Sequence, residues 1–187
     1  MDDIKDRLGE YKYDFFKKLQ DYIERELLFF GSIKRYDFFQ NNSDIDIIVI
    51  TDNVTETITK TQHFLNNKKS DLKKIYQRFP NKSTNKSTNV IIGSKLKYAD
   101  ADKDLSFDIL IYDEKYRQDI LQNIHDINNM PIYMIVILCS LKYMYYVFGL
   151  ISYGQYMYLK SFLFYCYFNG DIYYNKELGQ TIIVDNS

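Results

Sequence analysis

Gly31-Ser32-Ile33-Lys34-Arg35-Tyr36-Asp37-Phe38-Phe39-Gln40-Asn41-Asn42-Ser43-Asp44-Ile45-Asp46-Ile47-Ile48-Val49-Ile50 is the stretch that decides the fold. It reads as a Gly-Ser turn, a polar loop, and a strand opening on two carboxylates separated by one apolar residue. Side chains at i and i+2 of a strand share a face, about 6.6 Å apart along the chain. Asp44 and Asp46 therefore converge on one side, while Ile45, Ile47 and Val49 point to the other. Two like charges forced together are unfavourable unless cations hold them. A pair of divalent metals about 3.5–4 Å apart is the usual reason for such an arrangement.

A third carboxylate is available downstream. Leu105-Ser106-Phe107-Asp108-Ile109-Leu110-Ile111 is a short apolar run of strand character with one Asp inside it. An Asp in an apolar strand is costly without a partner. Beside the Asp44/Asp46 strand, Asp108 would complete a three-carboxylate metal cage. Taken singly, Asp-x-Asp at a loop-to-strand junction is ordinary solvated turn chemistry, and Gly-Ser is a weak signal. Their order, with a third Asp in an apolar strand, is what favours catalysis.

This constellation resembles the nucleotidyltransferase superfamily of DNA polymerase β, poly(A) polymerases and terminal uridylyltransferases. The shared pattern is Gly-Ser, a spacer, Asp-x-Asp, and a distant strand Asp. The resemblance implies that Asp44, Asp46 and Asp108 hold two Mg²⁺ or Mn²⁺ ions and carry the reaction. It implies that Gly31 and Ser32 hold the terminal phosphates of an NTP; Lys34 and Arg35 either add charge there or lie at the surface.

Around this centre the chain sets bounds. Its 187 residues suffice for one domain or two small lobes sharing a core. A formal net charge of −1 leaves global electrostatics silent on nucleic acid, so charge distribution has to decide. Cys139 and Cys166 are the only cysteines and stand in apolar helical sequence, which favours two buried, reduced thiols in a cytoplasmic protein. His63 and His125 stand near no cysteine pair, so no zinc site is expected. Met1-Asp2-Asp3-Ile4-Lys5 does not read as a signal peptide.

Residues 3 to about 28 read as one amphipathic helix, with Ile4, Leu8, Tyr11, Phe15, Leu19, Tyr22, Ile23 and Leu27 at helical spacing. A second helix is expected from Thr55 to about Arg78. From Asn67 to Tyr98 the balance turns basic: Lys68, Lys69, Lys73, Lys74, Arg78, Lys95 and Lys97 are among the cations, against Asp71 alone. The tandem Asn81-Lys82-Ser83-Thr84 and Asn85-Lys86-Ser87-Thr88 within it reads as a loop tip. Beside a catalytic cleft such a stretch attracts a polyanion; alone it is a solvated lysine face. Val90-Ile91-Ile92 and Lys95-Leu96-Lys97-Tyr98 bracket Gly93-Ser94 and predict one or two strands. A helix over Asp113 to Ile127 follows. Pro131 opens an apolar helix through Phe148, Gly149 breaks it, and Ser152 caps another to about Phe168. Lys142, Gly149 and Lys160 interrupt this third, and no uninterrupted apolar span of about 20 residues exists, so no membrane insertion is expected.

The helical third carries a second resemblance. Leu141-Lys142-Tyr143, then Ser152-Tyr153-Gly154, look like the central domain of poly(A) polymerases and terminal uridylyltransferases. This implies that Lys142 contacts the triphosphate, that Ser152 bonds a phosphate from a helix N-terminus, and that Tyr153 stacks on the base. The second lysine usual in that family, one turn after the first, is here Tyr146.

The expectation is an α+β fold. A small mixed-sheet, palm-like nucleotidyltransferase lobe spans 29–128, and a helical lobe of 1–28 with 129–187 packs against it. The expected function is template-independent transfer of nucleotides from an NTP to an RNA 3′ end. The alternatives are a protein or DNA acceptor, or a non-catalytic RNA-binding relative. The surplus of apolar and aromatic side chains after Pro131 predicts a homodimer or a protein partner.

Overall fold

The computed structural model describes residues 4–40, 42–66, 72–78, 90–100, 102 and 104–167, with 76–78 and 90 described by backbone alone. The amphipathic N-terminal run folds as α1, Lys5–Ile23, which buries Leu8, Phe16, Leu19 and Ile23. Glu24 in the left-handed conformation ends it, and the chain enters β1, Leu28–Phe30. A 3-10 turn over Gly31–Lys34 and the loop behind it lead to β2, Ile45–Thr51. Asn53 then caps α2, Val54–Leu65, by accepting a hydrogen bond from the Glu56 N–H.

β3, Leu72–Arg78, β4, Val90–Asp100, and β5, Leu105–Asp113, complete a mixed sheet of order β1-β2-β5-β4-β3. Only β2 and β5 run parallel; the other pairs are antiparallel. A short 3-10 turn joins β5 to α3, Arg117–Asn128. α4, Ile132–Lys142, passes into a π-helical turn over Tyr143–Val147, and α5, Tyr153–Tyr167, follows. This is the α+β architecture expected.

Strand alternation sorts the side chains into two layers. Ile45, Ile47, Val49, Phe107, Ile109 and Ile111 face α1 and α2 across one apolar core. Ile48, Ile50, Leu110 and Tyr112 face the other way, where Ile120 of α3 meets them. A third cluster joins the end of α3 to α4 and α5 through Ile127, Met134, Leu138 and Phe164, with Phe30 against it. α1 therefore shares its core with the sheet. The grouping of residues 1–28 with the C-terminal helices is corrected, because the apolar stripe of α1 matches the sheet face that Ile45, Ile47 and Val49 present.

One further expectation changes. The helix expected to reach Arg78 stops at Leu65, with Asn66 in the left-handed conformation, and Leu72–Arg78 pairs with β4. Leu72 and Ile75, three apart, read as one helix face, yet on a strand they point to opposite faces. Here both faces are apolar: Leu72 packs into one core and Ile75 into the other. Of the one or two strands expected around Gly93-Ser94, one forms. β4 runs through it because Gly93 lies under the ring of Tyr112, its partner on β5, where any Cβ would collide. The tandem tetrapeptide and the C-terminal segment from 168 lie outside the described residues.

Among the described residues no single helix is long and apolar enough to cross a membrane. One bent pair, α3 with its preceding turn and α4 with the turn after it, passes on length and composition together. The α3 half of that pair buries Ile120, Asn123 and Ile127.

Candidate active site

Parallel pairing of β2 with β5 sets Asp46 directly beside Asp108. Both lie on the layer of Ile48 and Leu110, towards the N-terminal ends of their strands, beyond the part that α3 covers. Burial, and then the charge of Asp108, push the Asp46 carboxyl up to about 6; Lys160 and Lys95 pull against this. Asp108 Oδ2 lies 2.8 Å from Lys95 Nζ, while Asp108 Oδ1 is buried with no hydrogen-bond partner. A carboxylate pair of this kind, one oxygen orphaned and one group resisting ionisation, fits a cation.

Asp44 stands at Ser106 as Asp46 stands at Asp108, so it keeps the side expected of it. It precedes β2, is exposed, and its Oδ1 accepts a hydrogen bond from Ser106 Oγ at 3.2 Å. It stands at the rim while Asp46 and Asp108 form the centre. Among the described residues no three His, Cys, Asp or Glu side chains form a ready metal-binding group.

The Gly-Ser turn packs onto this pair. Gly31 has φ +75°, and a Cβ there would stand 3.1 Å from Asp46 Oδ2, so glycine is needed for conformation and for space. Its N–H donates to Asn128 Oδ1 at 3.0 Å. That corrects the expectation that this N–H is available for a phosphate. Ser32 is 9% exposed at the same turn.

Behind the turn, a buried ionic cluster pins the loop. Arg35 donates to both Asp37 oxygens (2.8 and 3.1 Å) and to the Ile127 carbonyl (3.1 Å). Arg7 reaches the carbonyls of Ile33 (2.8 Å) and Arg35 (2.5 Å). Lys142 Nζ donates to the Asp37 carbonyl at 2.6 Å and to Ser43 Oγ at 3.0 Å, with Asp37 Oδ2 at 3.4 Å. Burial lowers its ammonium to about 8 against the pull of Asp37. Burial would raise the Asp37 carboxyl, but Arg35 and Lys142 together hold it below the usual range. Lys142 and Arg35 are thus committed to the loop, and this corrects the assignment of Lys142 to substrate charge and both placements expected of Arg35.

α5 faces the site from the other side. Ser152 and Gln155 cap its start reciprocally: Ser152 Oγ accepts from the Gln155 N–H, and Gln155 Oε1 accepts from the Ser152 N–H. The Ser152 hydroxyl is therefore engaged in the cap. Tyr153 is 62% exposed, its ring 6.1 Å from that of Tyr145. Tyr156 is buried and stacks on Tyr145 at 5.0 Å. One turn on stands Lys160, whose ammonium burial disfavours and Asp46 supports. Sequence reading passed over Lys160 and Asp37. Only a helical-wheel placement of Lys160 with Tyr153 and Tyr156 signals the first, and nothing local signals the second.

A model of the nucleotidyltransferase domain family matches residues 13–129, more than half of the chain. The chain belongs to that family. It is a nucleotidyl-transferring enzyme, and the matched segment holds the Gly31-Ser32 turn and all three Asp residues. α4 and α5, with Lys142, Ser152, Tyr153 and Lys160, lie beyond the matched segment of this nucleotidyltransferase. No curated protein and no solved structure matches the chain.

Proposed function

We propose that this nucleotidyltransferase adds nucleotides from an NTP to an RNA 3′ end without a template, in the manner of a poly(A) polymerase or uridylyltransferase. One juxtaposition carries the reading: the acidic pair and a row of lysines share one face of the sheet. Lys97 lies opposite Asp108 across β4 and β5, Lys95 lies opposite Leu110, and Lys73 lies opposite Lys95. The row runs outward from Asp108 and matches the charge of a phosphodiester backbone.

In this reading Asp46 and Asp108 hold divalent cations, Mg²⁺ or Mn²⁺, with Asp44 at the rim. When bound, such ions supply Lewis acidity and neutralise charge at the reacting phosphate. The orphaned Oδ1 of Asp108 accepts the hydrogen of the attacking 3′-hydroxyl and orients it. As Asp108 takes that proton, the 3′-oxygen bonds to the α-phosphorus and the bond from the α-phosphorus to the bridging oxygen breaks, releasing pyrophosphate. Gly31 lets the turn approach Asp46 closely, and Ser32 offers its hydroxyl to the nucleotide phosphates. The N-terminus of α5 at Ser152 favours negative charge, and the exposed ring of Tyr153 provides a surface for the base.

The helical third supports association with a second copy or a protein partner. Ile132, Tyr133, Val136 and Ile137 of α4 are exposed, as are Tyr158 and Phe162 of α5.

Incubating the protein with labelled RNA, each NTP in turn, and Mg²⁺ or Mn²⁺ tests the function. Extended RNA is the expected product. Label on the protein itself, or extension of gapped DNA alone, would move the acceptor to another class. Absence of product with every NTP and metal would overturn the reading.

A further inference from the structure

Three observations leave a vacancy in the nucleotide site and fill it. The lysine expected at the triphosphate, Lys142, donates to the Asp37 carbonyl and to Ser43, inside the protein. Where a second lysine is expected one turn later stands Tyr146, whose ring packs 6.0 Å from Tyr156. On α5, Tyr153, Tyr156 and Lys160 recur at i, i+3 and i+7 and share one face. Tyr156 is buried against Tyr145 and Tyr146 and Lys160 is half-buried a turn later, so the face turns inward beyond Tyr153, which stays exposed at the start of the helix. Lys160 Nζ lies 5.9 Å from the Tyr156 ring centre, and Asp46 is the foremost charge supporting its ammonium. Among the described residues Lys160 closes no ion pair within 4.0 Å. The site's other lysine, Lys95, is bound to Asp108 on the opposite flank, towards β4. A partly buried ammonium over the Tyr156 ring, supported chiefly by the charge of Asp46 and closing no ion pair within 4.0 Å, is poised for an anion at the acidic pair.

We propose that Lys160 is the triphosphate-binding cation of this enzyme, its ammonium meeting the terminal phosphates of a nucleoside triphosphate whose α-phosphate lies at the Asp46/Asp108 pair. Lys160 supplies from α5 the charge that Lys142 spends on the loop. It neutralises the pyrophosphate as it leaves, and it leaves the base to Tyr153. The inference rests on nucleotidyl transfer at this site and not on RNA being the acceptor.

The test compares wild type, Lys160→Gln and Lys160→Arg for binding of non-hydrolysable ATP and UTP analogues and of adenosine and uridine, with Ca²⁺ present, by calorimetry. Loss of one charge-assisted contact should weaken triphosphate binding at least about tenfold in Lys160→Gln. Nucleoside binding should be unchanged, and Lys160→Arg should recover most of the loss. Wild-type triphosphate affinity in Lys160→Gln would overturn the assignment. So would equal losses for triphosphate and nucleoside, because that pattern belongs to a packing role. A wild-type protein that binds triphosphate through Lys160 yet never extends RNA leaves this inference standing and removes the RNA acceptor. A wild type that binds no triphosphate overturns both.

Discussion

Asp46 sits beside Asp108, under Gly31, with Lys160 before it, and without a cation its ionised form is disfavoured. That gives its removal a sign. The folded carboxyl titrates near 6, above the value of about 4 for an unfolded chain. Below about pH 4 both states are protonated and the site costs nothing. As pH rises from about 4 through about 6, the unfolded chain ionises first and stability falls. Asp46→Asn should therefore stabilise the metal-free protein at pH 7–8, by at most about 2–3 kcal/mol, and abolish nucleotide incorporation. Thermal denaturation of both proteins from pH 4 to pH 8 in a chelating buffer checks it: the gap should close towards pH 4. A gap of constant size would show that Asp46 ionises as readily in the folded protein as in the unfolded chain.

At the scale of elements, the loop between β1 and β2 is held by ionic contacts. Asp37 is 1% exposed and serves Arg35 and Lys142 at once. Asp37→Ala would leave two buried cations without their counter-ion, which costs about 3–5 kcal/mol when one member of a buried pair is removed. Chemical denaturation should show a loss of that order, and Asp37→Asn a smaller one. A loss within the range of surface substitutions would mean that the cluster opens to water. The Arg35–Asp37 pair is local, two residues apart, but its burial and the third partner were not legible, since Lys142 lies 105 positions from Asp37 and reaches it only when α4 docks. The Gly31, Asp46 and Asp108 core of the site was legible, because an Asp within an apolar strand announces itself in sequence. β3 was not, because lysines and apolar residues three apart satisfy either period and strand pairing with β4 decides between them. Lys160 escaped notice because its meaning depends on which face of α5 turns inward.

For the whole molecule, the open question is what covers α4 and α5. α4 is apolar on nearly every side, yet Ile132, Tyr133, Val136 and Ile137 face outwards. We expect sedimentation velocity to show concentration-dependent association of the isolated protein. Val136→Glu with Tyr133→Glu should return it to a monomer without loss of helical circular dichroism, since neither side chain belongs to a described core. A wild type that stays monomeric across a hundredfold concentration range would count against self-association and leave a different protein as the partner.

The parallel pairing of β2 with β5 has a consequence in time. Ser106 and Asp44, hydrogen-bonded at the rim, are 62 positions apart in the chain. No hairpin can join parallel neighbours, so β5 must find β2 by closing a long loop, at an entropic cost that slows folding. A nascent chain leaving the ribosome presents Asp44 and Asp46 long before Asp108 emerges, and for that interval they are two solvated carboxylates with no catalytic meaning. Chemistry begins only when β5 has paired with β2. Onset of activity during refolding is therefore a clock for that pairing, and truncated or half-made copies are silent.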